Sequence, residues 1–182
     1  MKYLVVLLVI LVTLLSSGVH GQLSCCATSQ WQGSSLSSTT NGPVFRNYYY
    51  DGQTRTTRLD IISEYINQTT FSFYPNITQT GIEWVYDAFT GECYQTGPDY
   101  WNSWCFGDDF GTPFVNADFG VYIFANPSNG LTVYADMTYC TPVLMDWTYS
   151  GVSSTFVNVL PEITDFSVFD MPAACSSGSS SS

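Results

Sequence analysis

Residues 44–52 read Val44-Phe45-Arg46-Asn47-Tyr48-Tyr49-Tyr50-Asp51-Gly52, and this stretch decides the fold class. A run of β-branched and aromatic side chains ends on Asp-Gly, a dipeptide suited to the positive φ angles of a hairpin turn. A second such run, 54–62, returns from it. The same grammar recurs: 70–74 stops at Pro75-Asn76, and 82–86 runs into Asp87-Ala88-Phe89-Thr90-Gly91. Strands follow at 119–125, 131–139, 143–149 and 154–160, with Pro127-Ser128-Asn129-Gly130 as a turn. No helical periodicity interrupts them, which predicts an all-β antiparallel sandwich or barrel. Residues 97–113 carry Gly, Pro, Asp and Trp without alternation and read as a long loop.

The N-terminal segment has the form of a secretory leader. Lys2 supplies the positive end, residues 3–15 an apolar run too short to span a bilayer, and Ser16-Ser17-Gly18 a break. Cleavage is expected before Gln22, leaving 22–175 as one domain and 176–182 as a Ser/Gly-rich tail. The mature protein is expected to be secreted or luminal, with the lysosomal lumen as one destination. His20 and Lys2 leave with the leader, and only Arg46, Arg55 and Arg58 remain as cations. Histidine bases, Ser–His and Cys–His pairs, His-ligated zinc and Schiff-base lysines are then excluded. The full chain has a formal net charge of −11, which repels nucleic acid and anionic membranes. An aromatic content of 16% argues against disorder.

All six cysteines, Cys25, Cys26, Cys93, Cys105, Cys140 and Cys175, lie beyond the leader. An even count in a secreted chain predicts disulfides, and the vicinal Cys25-Cys26 should take two separate downstream partners. Spacing alone leaves the connectivity open. Two sequons, at Asn67 and Asn76, predict glycosylation on a solvent-facing rim.

Val121-Tyr122-Ile123-Phe124 and Val143-Leu144-Met145 are apolar on both faces. Such strands are buried by a second layer or a dimer partner, or line an apolar cavity.

The order of motifs resembles the ependymin-related family over nearly the whole mature chain. The carriers are Cys26 with Trp31-Gln32-Gly33, Tyr50-Asp51-Gly52 with Arg55 and Arg58, and Tyr86-Asp87 with Gly91-Glu92-Cys93. Tyr139-Cys140-Thr141-Pro142-Val143 and Ser167-Val168-Phe169 with Pro172 and Cys175 complete the series. The resemblance implies two stacked, curved antiparallel sheets, like those of bacterial lipoprotein carriers, around a deep apolar pocket. It implies glycoproteins, often dimeric, associated with calcium, cell-matrix adhesion and hydrophobic ligands. It pairs Cys26 with Cys140 and Cys93 with Cys175, with Cys25 and Cys105 as the remaining pair. The chain departs from the family in lacking a cysteine between residues 61 and 65, and residues 101–111 have no counterpart there.

On that basis the expected function is non-enzymatic binding of a lipid-like molecule. The pocket is expected at Phe71, Phe73, Trp84, Tyr86, Tyr122, Phe124, Tyr134 and Trp147. Asp99, Asp108, Asp109 and Asp118 are the candidate calcium ligands, although no EF-hand spacing is present. No organic cofactor is expected. Two carboxylates suffice for a glycosidase, but no pair is singled out by spacing. The rival reading is an adhesin of the extracellular matrix or a carbohydrate binder, using Trp101 and Trp104 as stacking platforms.

Overall fold

The computed structural model describes residues 23–77, 79–97, 101 and 103–176. The leader and the tail beyond Ser176 lie outside the described residues. The chain is all-β and sandwich-like, and its described residues form one eleven-stranded antiparallel sheet and one two-stranded sheet.

The large sheet comprises β2 (Gln30–Thr39), β3 (Gly42–Asp51), β4 (Thr56–Ile62), β5 (Asn67–Phe73), β6 (Ile82–Asp87) and β7 (Glu92–Gln95) on one side. Its other side is β9 (Phe114–Asp118), β10 (Val121–Asn126), β11 (Leu131–Asp136), β12 (Pro142–Trp147) and β13 (Val152–Leu160). The order is β7-β6-β5-β4-β3-β2-β13-β12-β11-β10-β9, so β2 and β13 join two meanders into one continuous sheet. The small sheet pairs β1 (Cys25–Cys26) with β8 (Cys105–Phe106).

The β3–β4 hairpin forms where the sequence places it, but its turn is longer than two residues. Asp51 pairs with Thr56, and the Asp51 carboxylate accepts from the Gln53 and Thr54 amides at 2.9 and 3.3 Å. Arg55 closes the turn in the left-handed region, φ 56°.

β2 has no strand signature in its sequence, yet it is central. Ten of its residues pair with β3, and its other edge takes β13. Trp31, Ser35 and Ser37 are buried on its inner face. Serines at these positions allow close approach, and Ser37 meets Ser154 of β13 hydroxyl to hydroxyl.

Residues 103–113, read as part of a long loop, include a strand and a 3-10 turn. Trp104, Cys105 and Phe106 lie over the inner face of the large sheet. Phe106 packs on Phe124, with ring centroids 5.7 Å apart, and Trp104 meets Trp31 edge-on at 5.0 Å. The Ala27 amide donates to the Trp104 carbonyl. Gly107 is required here: its φ is +141°, and a Cβ would approach Ser24 Cα to 2.9 Å.

The pairing of the vicinal cysteines corrects the expectation. Cys25 bonds Cys140 and Cys26 bonds Cys105, while Cys93–Cys175 is as expected. The cause is strand alternation. Cys26 stands directly opposite Cys105 in the β1–β8 ladder, whereas buried Cys25 points the other way, to buried Cys140.

The C-terminal segment covers the outer face of the first meander. The Arg58 guanidinium donates to the Val168 carbonyl at 2.7 Å, and the helical turn Ala173–Ser176 carries Cys175 against β6 and β7. Asp165 caps the 3-10 turn Phe166–Phe169 by accepting from the Ser167 amide.

Replacing Cys140 by serine should leave the free thiol on Cys25. Alkylation followed by fragment-ion sequencing reads the position directly, and label on Cys26 would restore the other pairing. Opening a bridge of sequence separation 115 should cost about 4 to 5 kcal/mol on the chain-entropy model, measurable by denaturant unfolding.

Candidate functional site

A cavity of about 510 Å³ lies on the concave face of the large sheet. Its floor follows from register. Tyr50, Thr57, Ser72 and Glu83 form one cross-strand row, and Tyr48, Leu59 and Thr70 form the next. All seven border the cavity, together with Leu131 and Met145 from the other meander. β6 and β11 are seven places apart in the strand order, about 34 Å on a flat sheet at about 4.8 Å per strand. Both border one cavity, so the sheet curls around it.

The covering segment supplies the other wall. Trp101 stacks on Tyr50 at 5.2 Å and meets Tyr74 edge-on at 5.3 Å. Trp104 contacts Tyr48 at 6.0 Å, and Phe106 completes the apolar side. The floor facing it is polar at Thr57, Thr70, Ser72 and Glu83. The Glu83 carboxylate accepts from Thr96 Oγ1 at 2.7 Å and from Ser72 Oγ at 3.2 Å.

None of the eight aromatics expected from sequence lines this cavity. Phe71, Phe73, Trp84 and Tyr86 alternate onto the opposite face of β5 and β6. Phe71 is buried there beneath the Arg58 guanidinium, 5.4 Å from its ring centroid. Tyr134 shares the outer face with Ile123 and Leu144. Tyr122, Phe124 and Trp147 do face inward, but they pack in the core beside Val133 and Leu131. The expected pocket left out Tyr48, Tyr50 and Phe106, which border the cavity. Trp101 and Trp104, expected as surface platforms, are both turned inward.

Three of the four candidate calcium ligands lie among the described residues. Asp108 and Asp109 sit in the 3-10 turn Asp108–Phe110, and Asp118 ends edge strand β9, accepting from the Phe119 amide. Asp99 lies outside the described residues. Among the described residues, no three His, Cys, Asp or Glu side chains are grouped to hold a metal ion. Asn67 opens β5, and Asn76 lies in the turn after it, bonded to Gln79. Thr78 of the second sequon is outside the described residues.

Burial pushes the Tyr48 and Tyr50 phenols above their ordinary pKa. For Tyr48 the rise is partly offset by the neighbouring Ser35 hydroxyl and by the Arg46 charge. For Tyr50 a hydrogen bond with the Trp104 backbone opposes it and Asp51 adds to it. Tyr49 is raised by burial and by Asp60, against Arg58.

No family model and no curated protein sequence matches the chain. A solved structure that does match is an uncharacterized conserved protein from Thermus thermophilus. It shares 12% identity at a TM-score of 0.56, over 80% of this chain and 86% of that one. That likeness concerns the fold alone.

A raised phenol pKa means the fold prefers neutral tyrosine. This contribution is complete below the unfolded value of about 10 and is lost as pH climbs through the folded values. Alkaline titration should therefore show a late-ionising tyrosine class whose ionisation coincides with loss of folded circular dichroism. Ionisation of every tyrosine in one step near pH 10 with the fold intact would contradict the burial of Tyr48 and Tyr50.

Proposed function

We propose that the protein is a secreted, non-enzymatic binding protein that holds a small, largely hydrophobic ligand in the concave-face cavity. The observation that carries this reading is the cavity itself, about 510 Å³, with Trp101, Trp104 and Phe106 in its lining. Ligand pockets typically span about 300 to 1,000 Å³ and are walled mainly by apolar and aromatic side chains. Three disulfides accord with an oxidising, extracellular or luminal setting. Among the described residues, no helix is long and apolar enough to cross a membrane.

The energetics are adequate. Removing about 400 Å² of ligand apolar surface from water contributes about 10 kcal/mol at about 25 cal/mol per Å². An association cost of about 4 kcal/mol, the low end of the usual range, leaves a dissociation constant of tens of micromolar at best.

Filling the space tests the proposal. Leu59 borders the cavity from the floor without belonging to the fully buried core. Leu59→Trp should keep the wild-type melting transition within a few degrees and weaken binding at least about tenfold. Native mass spectrometry with mild organic extraction of the secreted protein gives the first readout. An acyl or sterol mass on the wild type and a bare chain for the variant is the expected pair. A bare wild type whose melting point no lipid mixture raises would remove the basis of the reading.

A further inference from the structure

The cavity is polarised, and its polarity selects a head group. We infer that its ligand is a cationic amphiphile, an ammonium head held at Glu83 with an apolar body laid along the aromatic wall. This rests on the reading of the cavity as a ligand site and goes beyond it by fixing the charge of the ligand.

The argument begins with the charged groups that border the cavity. Glu83 and Arg58 are the two among the described lining residues. Arg58 is spent elsewhere. Its Nε donates to Asp60 at 2.8 Å, its Nη1 to the Val168 carbonyl at 2.7 Å, and its guanidinium stands over Tyr49 and Phe71 on the outer face. Arg46 lies on the concave face one row beyond Tyr48, where its guanidinium donates to Ser37 Oγ, outside the cavity wall. The charge turned into the cavity is therefore the Glu83 carboxylate.

That carboxylate is positioned but not saturated. It accepts one hydrogen bond at each oxygen, from Thr96 and from Ser72, and two carboxylate oxygens offer about four acceptor sites. Ser72 is itself 4% exposed, which fixes the near oxygen. An ammonium group would use the remaining lone pairs and cancel a half-buried charge. A carboxylate or phosphate head in the same place would meet Glu83 with no cation beside it.

The rings supply the apolar end of the site. Tyr50, Tyr74 and Trp101 border the cavity and contact one another around Trp101. Their faces accept an alkyl chain. Tyr50 and Glu83 sit at opposite ends of one row of four strands, about 14 Å apart. The polar and apolar ends of the site are thus separated by the length of an extended amphiphile rather than mixed.

The test is a head-group series on the wild-type protein. Decylammonium, decanol and decanoate share one chain and differ in charge. Their binding below the micellar range is followed by calorimetry and by quenching of tryptophan emission. The ammonium compound should bind about tenfold more tightly than the alcohol, and decanoate more weakly than the alcohol. The preference should survive high salt, which screens the diffuse attraction of an acidic chain but not a partly buried contact. Glu83→Gln should bring the ammonium down to the affinity of the alcohol. Equal affinities for all three would overturn the inference and leave the cavity reading standing. Tightest binding of decanoate, abolished by Arg46→Gln, would overturn it in favour of a head at Arg46. Failure of all three to bind would take the cavity reading with it.

Discussion

Cys25 and Cys26 are adjacent in a strand two residues long, and their side chains must leave it in opposite directions. Everything on the concave face depends on that constraint. One cysteine anchors the strand inward to Cys140, just before β12; the other locks it sideways to Cys105. The pair therefore fixes both the position and the rotation of the β1–β8 ribbon. Trp104 and Phe106 are carried on that ribbon, so its rotation decides that they face Trp31 and Phe124 rather than solvent. Exchanging the two cysteine partners would turn the ribbon over and expose the cover of the cavity.

The main chain of the fold was legible because it is written locally. The run of Val44 to Tyr50, the Asp-Gly punctuation and the repeated turn signals are short-range features, and each meander follows from them. β2 was illegible for the complementary reason. Gln30-Trp31-Gln32-Gly33-Ser34-Ser35-Leu36-Ser37-Ser38-Thr39 has little intrinsic β preference. It is a strand because β3 and β13 satisfy its backbone on both sides, and because small side chains at Ser35 and Ser37 permit a close-packed interior. The element that joins the two meanders is thus held by tertiary pairing, which no local pattern records.

The same division explains the site. Alternation along β5 and β6 reveals two faces, one bearing Phe71, Phe73, Trp84 and Tyr86, the other Thr70, Ser72, Glu83 and Val85. Hydrophobicity favours the first as the inner face. The structure reverses this, because the C-terminal segment, tied down by Cys93–Cys175 and by Arg58, buries the aromatic face from outside. A covering element more than 80 residues away decides which face is which. Aromatic content therefore located the buried surfaces but not the cavity.

Curling one sheet around a cavity is expensive for a chain with this charge. Self-repulsion at net charge −11 opposes compaction, and every ligand-sized space forgoes packing contacts that a filled core would have. The three disulfides offset this by acting on the unfolded chain, whose freedom they restrict over separations of 79 to 115 residues. Their placement follows the same logic. Two secure the cover on the concave side and one secures the tail on the convex side, so both faces of the first meander are clamped without relying on apolar burial. The cavity can then keep a polar floor. A chain stabilised only by its core would gain by filling that floor with leucine or phenylalanine; one clamped covalently can retain Thr57, Thr70, Ser72 and Glu83 there and use them for recognition.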